Sequence, residues 1–179
     1  MHAIATLASF GAFQGTRIFL DKLYAASQHP VDFATGQLGF DGATTLGYYD
    51  AMREGGTFGI YVQTQLFDFA FIAAVIVFGI CFGTLLARMG QVGSLTRKLG
   101  LAAAGFAVAG GLLDASENLM SFILMQFDTV IPQVLAYIYS SFAALKFISL
   151  TLAMDLGLAT LITGVISSGL GMMRRLTAA

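Results

Sequence analysis

Asp114, Glu117 and Asn118 stand at i, i+3 and i+4 within one apolar stretch, and Ser121 continues their side. On a helix this spacing projects all four from one face. Asp68 lies in a second apolar stretch with Tyr61 and Gln65 on its face. Lys146 lies in a third, with Tyr139, Phe142 and Ser149 on its face. Lys146 can pair with Asp114 or Glu117 and act as an electrostatic partner. A carboxyl left without a cation is neutral only when it carries a proton, and a neutral carboxyl can donate that proton. Asp114, Glu117 and Lys146 are therefore the candidate acid–base set. Asp68, Asn118, Tyr61, Tyr139 and Gln65 are the candidate binding groups.

Other chemistries lack their residues. The two histidines, His2 and His29, do not form a pair within apolar stretches, so a bis-histidine haem site has no ligands. A lone cysteine, Cys81, excludes an intramolecular disulfide, a CxxC pair and a thiolate zinc site. No HExxH, GxSxG or Walker pattern occurs. There is no tryptophan to build a cation cage. The oxygen ligands of Asp68, Asp114 and Glu117 suit a hard cation by type, but neither a metal nor a cofactor is expected.

The elements that must position these residues follow from composition. Of 179 residues, 57% are hydrophobic and 11% charged, with mean hydropathy +0.80. An average soluble domain has about 45–50% and about 25%. Nineteen charges cannot solvate the surface of so apolar a chain. A soluble enzyme, a disordered chain and a nucleic-acid binder are excluded, leaving an all-α integral membrane protein. Apolar stretches over about 1–20, 62–87, 99–125 and 134–158 predict four spans in a single transmembrane domain, a polytopic four-helix bundle. The N-terminal stretch has no basic n-region and reads as a retained span. The last stretch stays apolar as far as Met173, so a tilted or kinked helix running into the interface is expected. Division at Asp155 is the alternative.

Lys and Arg in short loops set orientation. Arg88, Arg97 and Lys98 lie between the second and third spans, and Arg174 and Arg175 near the C-terminus. Asp21, Asp32, Asp41, Asp50 and Glu54 dominate the outer loop 21–61. Both termini are thus expected on the cytoplasmic side. Pro30, Gly36, Gly39 and Gly42 mark turns in that loop. Thr44 or Thr45 is expected to cap a short interfacial helix over Leu46 to Glu54, ended by Gly55 and Gly56. It either joins two spans or forms a lid over a site opening outward, with Tyr61 and Tyr139 at the mouth.

A rise of ~1.5 Å per residue puts Asp68 ~9 Å, Glu117 ~13 Å, Asp114 ~18 Å and Lys146 ~20 Å below the outer boundary. Each ion at mid-membrane costs at least ~2.5–3.5 kcal/mol. Hydrogen bonds between membrane helices return only ~0.6 kcal/mol on average. A polar functional site explains such groups better than a helix lock. Ala103, Ala107 and Gly110 extend the Asp114 face inward with small residues, where another helix can approach closely.

The chain resembles an uncharacterised family of small bacterial four-helix membrane proteins. The resemblance covers about residues 46–155. It rests on Gly55 and Gly56, Tyr61 seven residues before Asp68, the D-x-x-E-N motif Asp114-Ala115-Ser116-Glu117-Asn118, and Lys146. Phe58 and Ile72 stand where the family often has Arg and Pro. The resemblance implies a bacterial inner-membrane location and the same polar residues, but no reaction. Three functions are consistent with the sequence. The protein could bind or act on a lipid-like amphiphile, with membrane lipids as partners. It could be a proton-coupled transporter subunit working as a homodimer. It could be an accessory subunit of a larger membrane complex.

Overall fold

A computed structural model describes the backbone of residues 1–177 and the side chains of residues 1–166. The described chain is helical, with no strand. The helices are α1 (His2–Ala26), α2 (Phe33–Gln37), α3 (Gly42–Glu54), α4 (Phe58–Ala87), α5 (Leu95–Leu124) and α6 (Gln133–Thr177). Three are long and apolar enough to cross a membrane: α4, α5 and α6 as far as Ile166. The expected first span, α1, is not among the three. It has the length, but Gln14, Arg17 and Asp21 interrupt its apolar run.

The long helices pack in antiparallel succession. Along α1 and α4 the contacts run in opposite directions. His2 meets Thr84, Phe10 meets Phe78, and Phe19 meets Phe67. Between α4 and α5 the backbones touch at one end. A Cβ on Gly83 would lie 2.7 Å from the Ala104 nitrogen, and one on Gly100 would lie 2.6 Å from the Ala87 nitrogen. Ala104 and Ala107 lie on the same seam, opposite Gly83 and Gly79. Toward the other end the α5 stripe turns polar, through Asp114, Glu117, Asn118 and Ser121.

Three places bear on the expected boundaries. First, α6 is one unbroken helix of 45 residues that runs past 158, the continuous helix expected rather than the alternative division at Asp155. Asp155 sits exposed on its surface and breaks nothing. At ~1.5 Å per residue the helix is ~68 Å long, about twice a hydrocarbon core. The side chains of Arg174 and Arg175 lie outside the described residues. Second, segment 21–61 holds two helices rather than one. Asp32 caps α2 by accepting from the Thr35 amide at 3.0 Å. Third, Asp41, not Thr44 or Thr45, caps α3. Its carboxylate accepts from the Thr44 amide at 2.6 Å, so the helix starts at Gly42. A short carboxylate is among the strongest caps. These hydrogen bonds hold both aspartates below the usual carboxylate range. The end of α3 falls at Glu54, with Gly56 in the left-handed region at φ +69°.

Helix α3 is inserted, not merely laid on the surface. Tyr49 and Met52 are buried with Tyr61, Leu124, Met125, Ile131 and Tyr139. Its start is fastened through Gln133, which accepts from the Gly42 amide at 3.0 Å and donates to the Phe40 carbonyl at 2.7 Å. Gly42 approaches so closely that a Cβ there would meet the Ile131 carbonyl at 2.6 Å. Its end is fastened through Arg53, which pairs with Asp50 and with Asp128 at 3.1 Å and lies over the Phe58 ring. Beside it, the His29 ring contacts Tyr24, Tyr48 and Tyr61, and Nδ1 donates to the Val31 carbonyl at 2.8 Å.

Gly83→Ala forces two backbones apart and is expected to destabilise the protein by about 1–3 kcal/mol in detergent unfolding. Gly105→Ala meets nothing within 4 Å and is expected to stabilise it by about 0.5–1 kcal/mol through helix propensity. Burial pushes the His29 imidazole below its usual 6.5. The folded cap therefore favours neutral His29, while the unfolded segment takes up a proton as pH falls through about 6.5. Cap stability is full above that pH and declines down to the depressed pKa. Hydrogen exchange of α2 and α3 should accelerate over that window, and His29→Gln should flatten the response.

Candidate functional site

The α5 stripe gains partners because antiparallel packing brings α4 to one side of it and α6 to the other. From α6, the Lys146 ammonium reaches Asp114 Oδ1 at 2.6 Å and also bonds Glu117 Oε2. From α4, the Asp68 carboxylate accepts from the Asn118 amide at 2.7 Å. Gln65 donates to the Ser121 hydroxyl at 2.8 Å and to the Tyr61 hydroxyl at 3.0 Å. The Tyr139 hydroxyl faces Glu117, and Asp68 lies within electrostatic reach of Asp114, Glu117 and Lys146. All eight residues singled out from the sequence therefore belong to one cluster drawn from three helices. Each is at most 6% exposed, and Glu117 and Asn118 are 0% exposed.

The cluster is closed at both ends. Toward the basic end, Leu150 packs on Gly110, and Ile72 and Ile76 pack on Gly111. Toward the acidic end, α3 lays Tyr49 over Tyr61, with ring centroids 5.8 Å apart. Tyr61 and Tyr139, anticipated at an open mouth, are buried beneath this cap at 4% and 2% exposure. Burial pushes the Tyr49 hydroxyl up to about 12, so it stays a neutral donor and acceptor near physiological pH.

Two members enter through the structure. Ser121 was visible as the outward continuation of the Asp114 face but carried no assigned role. Tyr49 had no sequence signal separating it from Tyr48, because the choice depends on which face of α3 meets the bundle.

Buried polar groups normally find partners. Among the described residues, Glu117 Oε1, Gln65 Oε1, Asn118 Oδ1 and the Tyr49 hydroxyl have no hydrogen-bond partner. No group of three or more metal-ligating side chains occurs among the described residues. Chemically, the cluster can hold one ammonium between two carboxylates, accept further hydrogen bonds at Glu117, and move a proton among Glu117, Tyr139 and Lys146.

Lys146→Met leaves Asp114 and Glu117 buried without their cation. Removing one partner of a buried pair costs about 3–5 kcal/mol. The variant is expected to lose stability of that order. Adding Glu117→Gln should recover part of it, because one orphaned charge disappears. A double-mutant cycle in detergent unfolding measures the coupling. If the double variant is no more stable than Lys146→Met, Glu117 is not paired with the ammonium. Comparison with family models, with curated proteins and with solved structures returned no match.

Proposed function

We propose that the protein is a four-helix membrane bundle in which the polar cluster beneath α3 binds the head group of a lipid-like amphiphile. In this reading α1 crosses beside α4, both termini are cytoplasmic, and the membrane is a bacterial inner membrane. The 25-residue length of α1 and its contact along α4 support the fourth crossing. Its two interrupting charges, Arg17 and Asp21, are an i, i+4 pair at 3.8 Å. The basic residues Arg88, Arg97 and Lys98 cluster at one end, and Asp32, Asp41, Asp50 and Asp128 at the other. That asymmetry supports the orientation.

The observation that carries the binding reading is the set of four partnerless polar atoms buried beside the Lys146 ion pairs under a helix fastened at each end. A lock between helices gains nothing from partnerless groups. A head group entering when α3 lifts would satisfy them. Asp114 or Glu117 would then serve as acid or base, with Lys146 as electrostatic partner. Helix α3 is the lid. The close Gly and Ala packing below Asp114 supports access from the α3 side only and argues against a through-path for transport.

A homodimer has one supporting observation. Gly11 and Gly15 stand on the exposed side of α1 with nothing within 4 Å, the small-x-x-x-small spacing of close helix pairs in membranes. Surrounding lipid or a larger complex would cover the same face.

The binding reading is tested by purifying the chain from membranes in mild detergent and identifying retained small molecules by mass spectrometry. The wild type should retain an amphiphile near stoichiometric amounts, and Asn118→Leu should lose most of it while remaining folded. A wild-type preparation with no bound amphiphile, or equal retention by both proteins, would sink the reading.

A further inference from the structure

Among the described residues, three acceptors beneath α3, Glu117 Oε1, Gln65 Oε1 and Asn118 Oδ1, receive no hydrogen bond, and the Tyr49 hydroxyl has no partner. Their side chains are at most 1% exposed. The charged donor of the cluster, the Lys146 ammonium, is held by Asp114 and Glu117. The Gln65 amide is held by Tyr61 and Ser121, and one N–H of the Asn118 amide by Asp68. Arg53 sits at the rim and is held by Asp50 and Asp128. Charge is unbalanced in the same sense, since three carboxyls, Asp68, Asp114 and Glu117, face one ammonium.

From these open acceptors and this surplus of carboxyls, resting on the binding reading above, we infer that the head group taken by the site is a primary ammonium. Such a group brings three N–H donors and no acceptor. Its positive charge offsets a carboxylate that Lys146 does not neutralise. A phosphate, sulfate or carboxylate head group has the opposite needs. It would have to take Lys146 from its two carboxylates, leaving them buried without a cation, and the other donors at this end are neutral hydroxyl and amide groups. A quaternary ammonium has the charge but no N–H, so the three acceptors would stay empty. The site thus distinguishes charge sign and donor number together.

The test uses the full chain in lipid nanodiscs near neutral pH, with three single-chain probes of equal length at equal mole fraction. They are dodecylamine, dodecyltrimethylammonium and dodecyl phosphate. Dodecylamine is expected to raise the unfolding temperature and to slow hydrogen exchange of α3 several-fold. The other two should do neither. Glu117→Gln and Asn118→Leu should each weaken the dodecylamine response. The wild-type comparison stands even where a variant fails to fold. Protection by dodecyl phosphate without protection by dodecylamine would overturn the ammonium assignment and leave the head-group site standing. Equal protection by the trimethylated probe would overturn the requirement for N–H donors. Protection by none of the three would overturn both the assignment and the binding reading.

Discussion

The Lys146 ammonium, held between Asp114 and Glu117, constrains the rest of the polar end. A charge in a low-dielectric interior must be paired or neutralised. Pairing requires the Lys146 level of α6 to coincide with one turn of α5, which sets the register of these two antiparallel helices. With that register, Leu150 falls on Gly110 one turn from Lys146 toward the basic end. On the opposite side of α5, Asp68 and Gln65 are brought to Asn118 and Ser121 by the register that α4 takes against the same helix. Helix α5 is the common ruler, read by one neighbour through charge and by the other through amide and hydroxyl groups.

Its two halves work by different physics. At the basic end, glycine and alanine let backbones touch, and close dispersion contact holds the helices where lipid offers no hydrophobic driving force. At the acidic end, larger polar side chains fill the seam and need partners, and α3 covers that end with Tyr49 and Met52. The cap is fastened at both ends. Gln133 bridges backbone groups at its start, and Arg53 at its end pairs with Asp50 and Asp128 and donates to the Met125 and Phe127 carbonyls.

The polar stripe on α5 was legible because helical periodicity needs no tertiary knowledge. Asp114, Glu117, Asn118 and Ser121 share a face in any helix. Asp68 and Lys146 were legible because a charge inside a hydrophobic run stands out against its surroundings, and their similar depth followed from counting residues. What the sequence withheld depends on competition or contact. Asp41 and Thr44 are both good caps, and the choice of Asp41 follows the docking of Gly42 against Ile131. Asp155 could have ended a helix, yet an exposed aspartate costs a long helix little, and α6 runs through it. Helix α2 is too short to show a period. The marginal apolarity of α1 reflects Gln14 and Arg17, whose cost depends on whether they face lipid or reach water.

Whether the cluster serves assembly or activity can be argued from what assembly already has. The Gly83–Gly100–Ala104 seam and the aromatic contacts of α1 with α4 hold the helices without any charge. Replacing a buried ion pair by well-packed hydrophobic residues is often neutral or stabilising. Leucines at 68, 114, 117 and 146 would therefore satisfy a purely structural requirement at lower cost. Specificity of register could justify one pair, since a single polar contact can fix alignment. It does not justify three carboxyls against one ammonium, nor acceptors buried without donors. Those features lower the stability of the protein alone, and in the proposed reading a donor-bearing cation would satisfy them. It is this mismatch with a purely structural role that supports the proposal of a binding site.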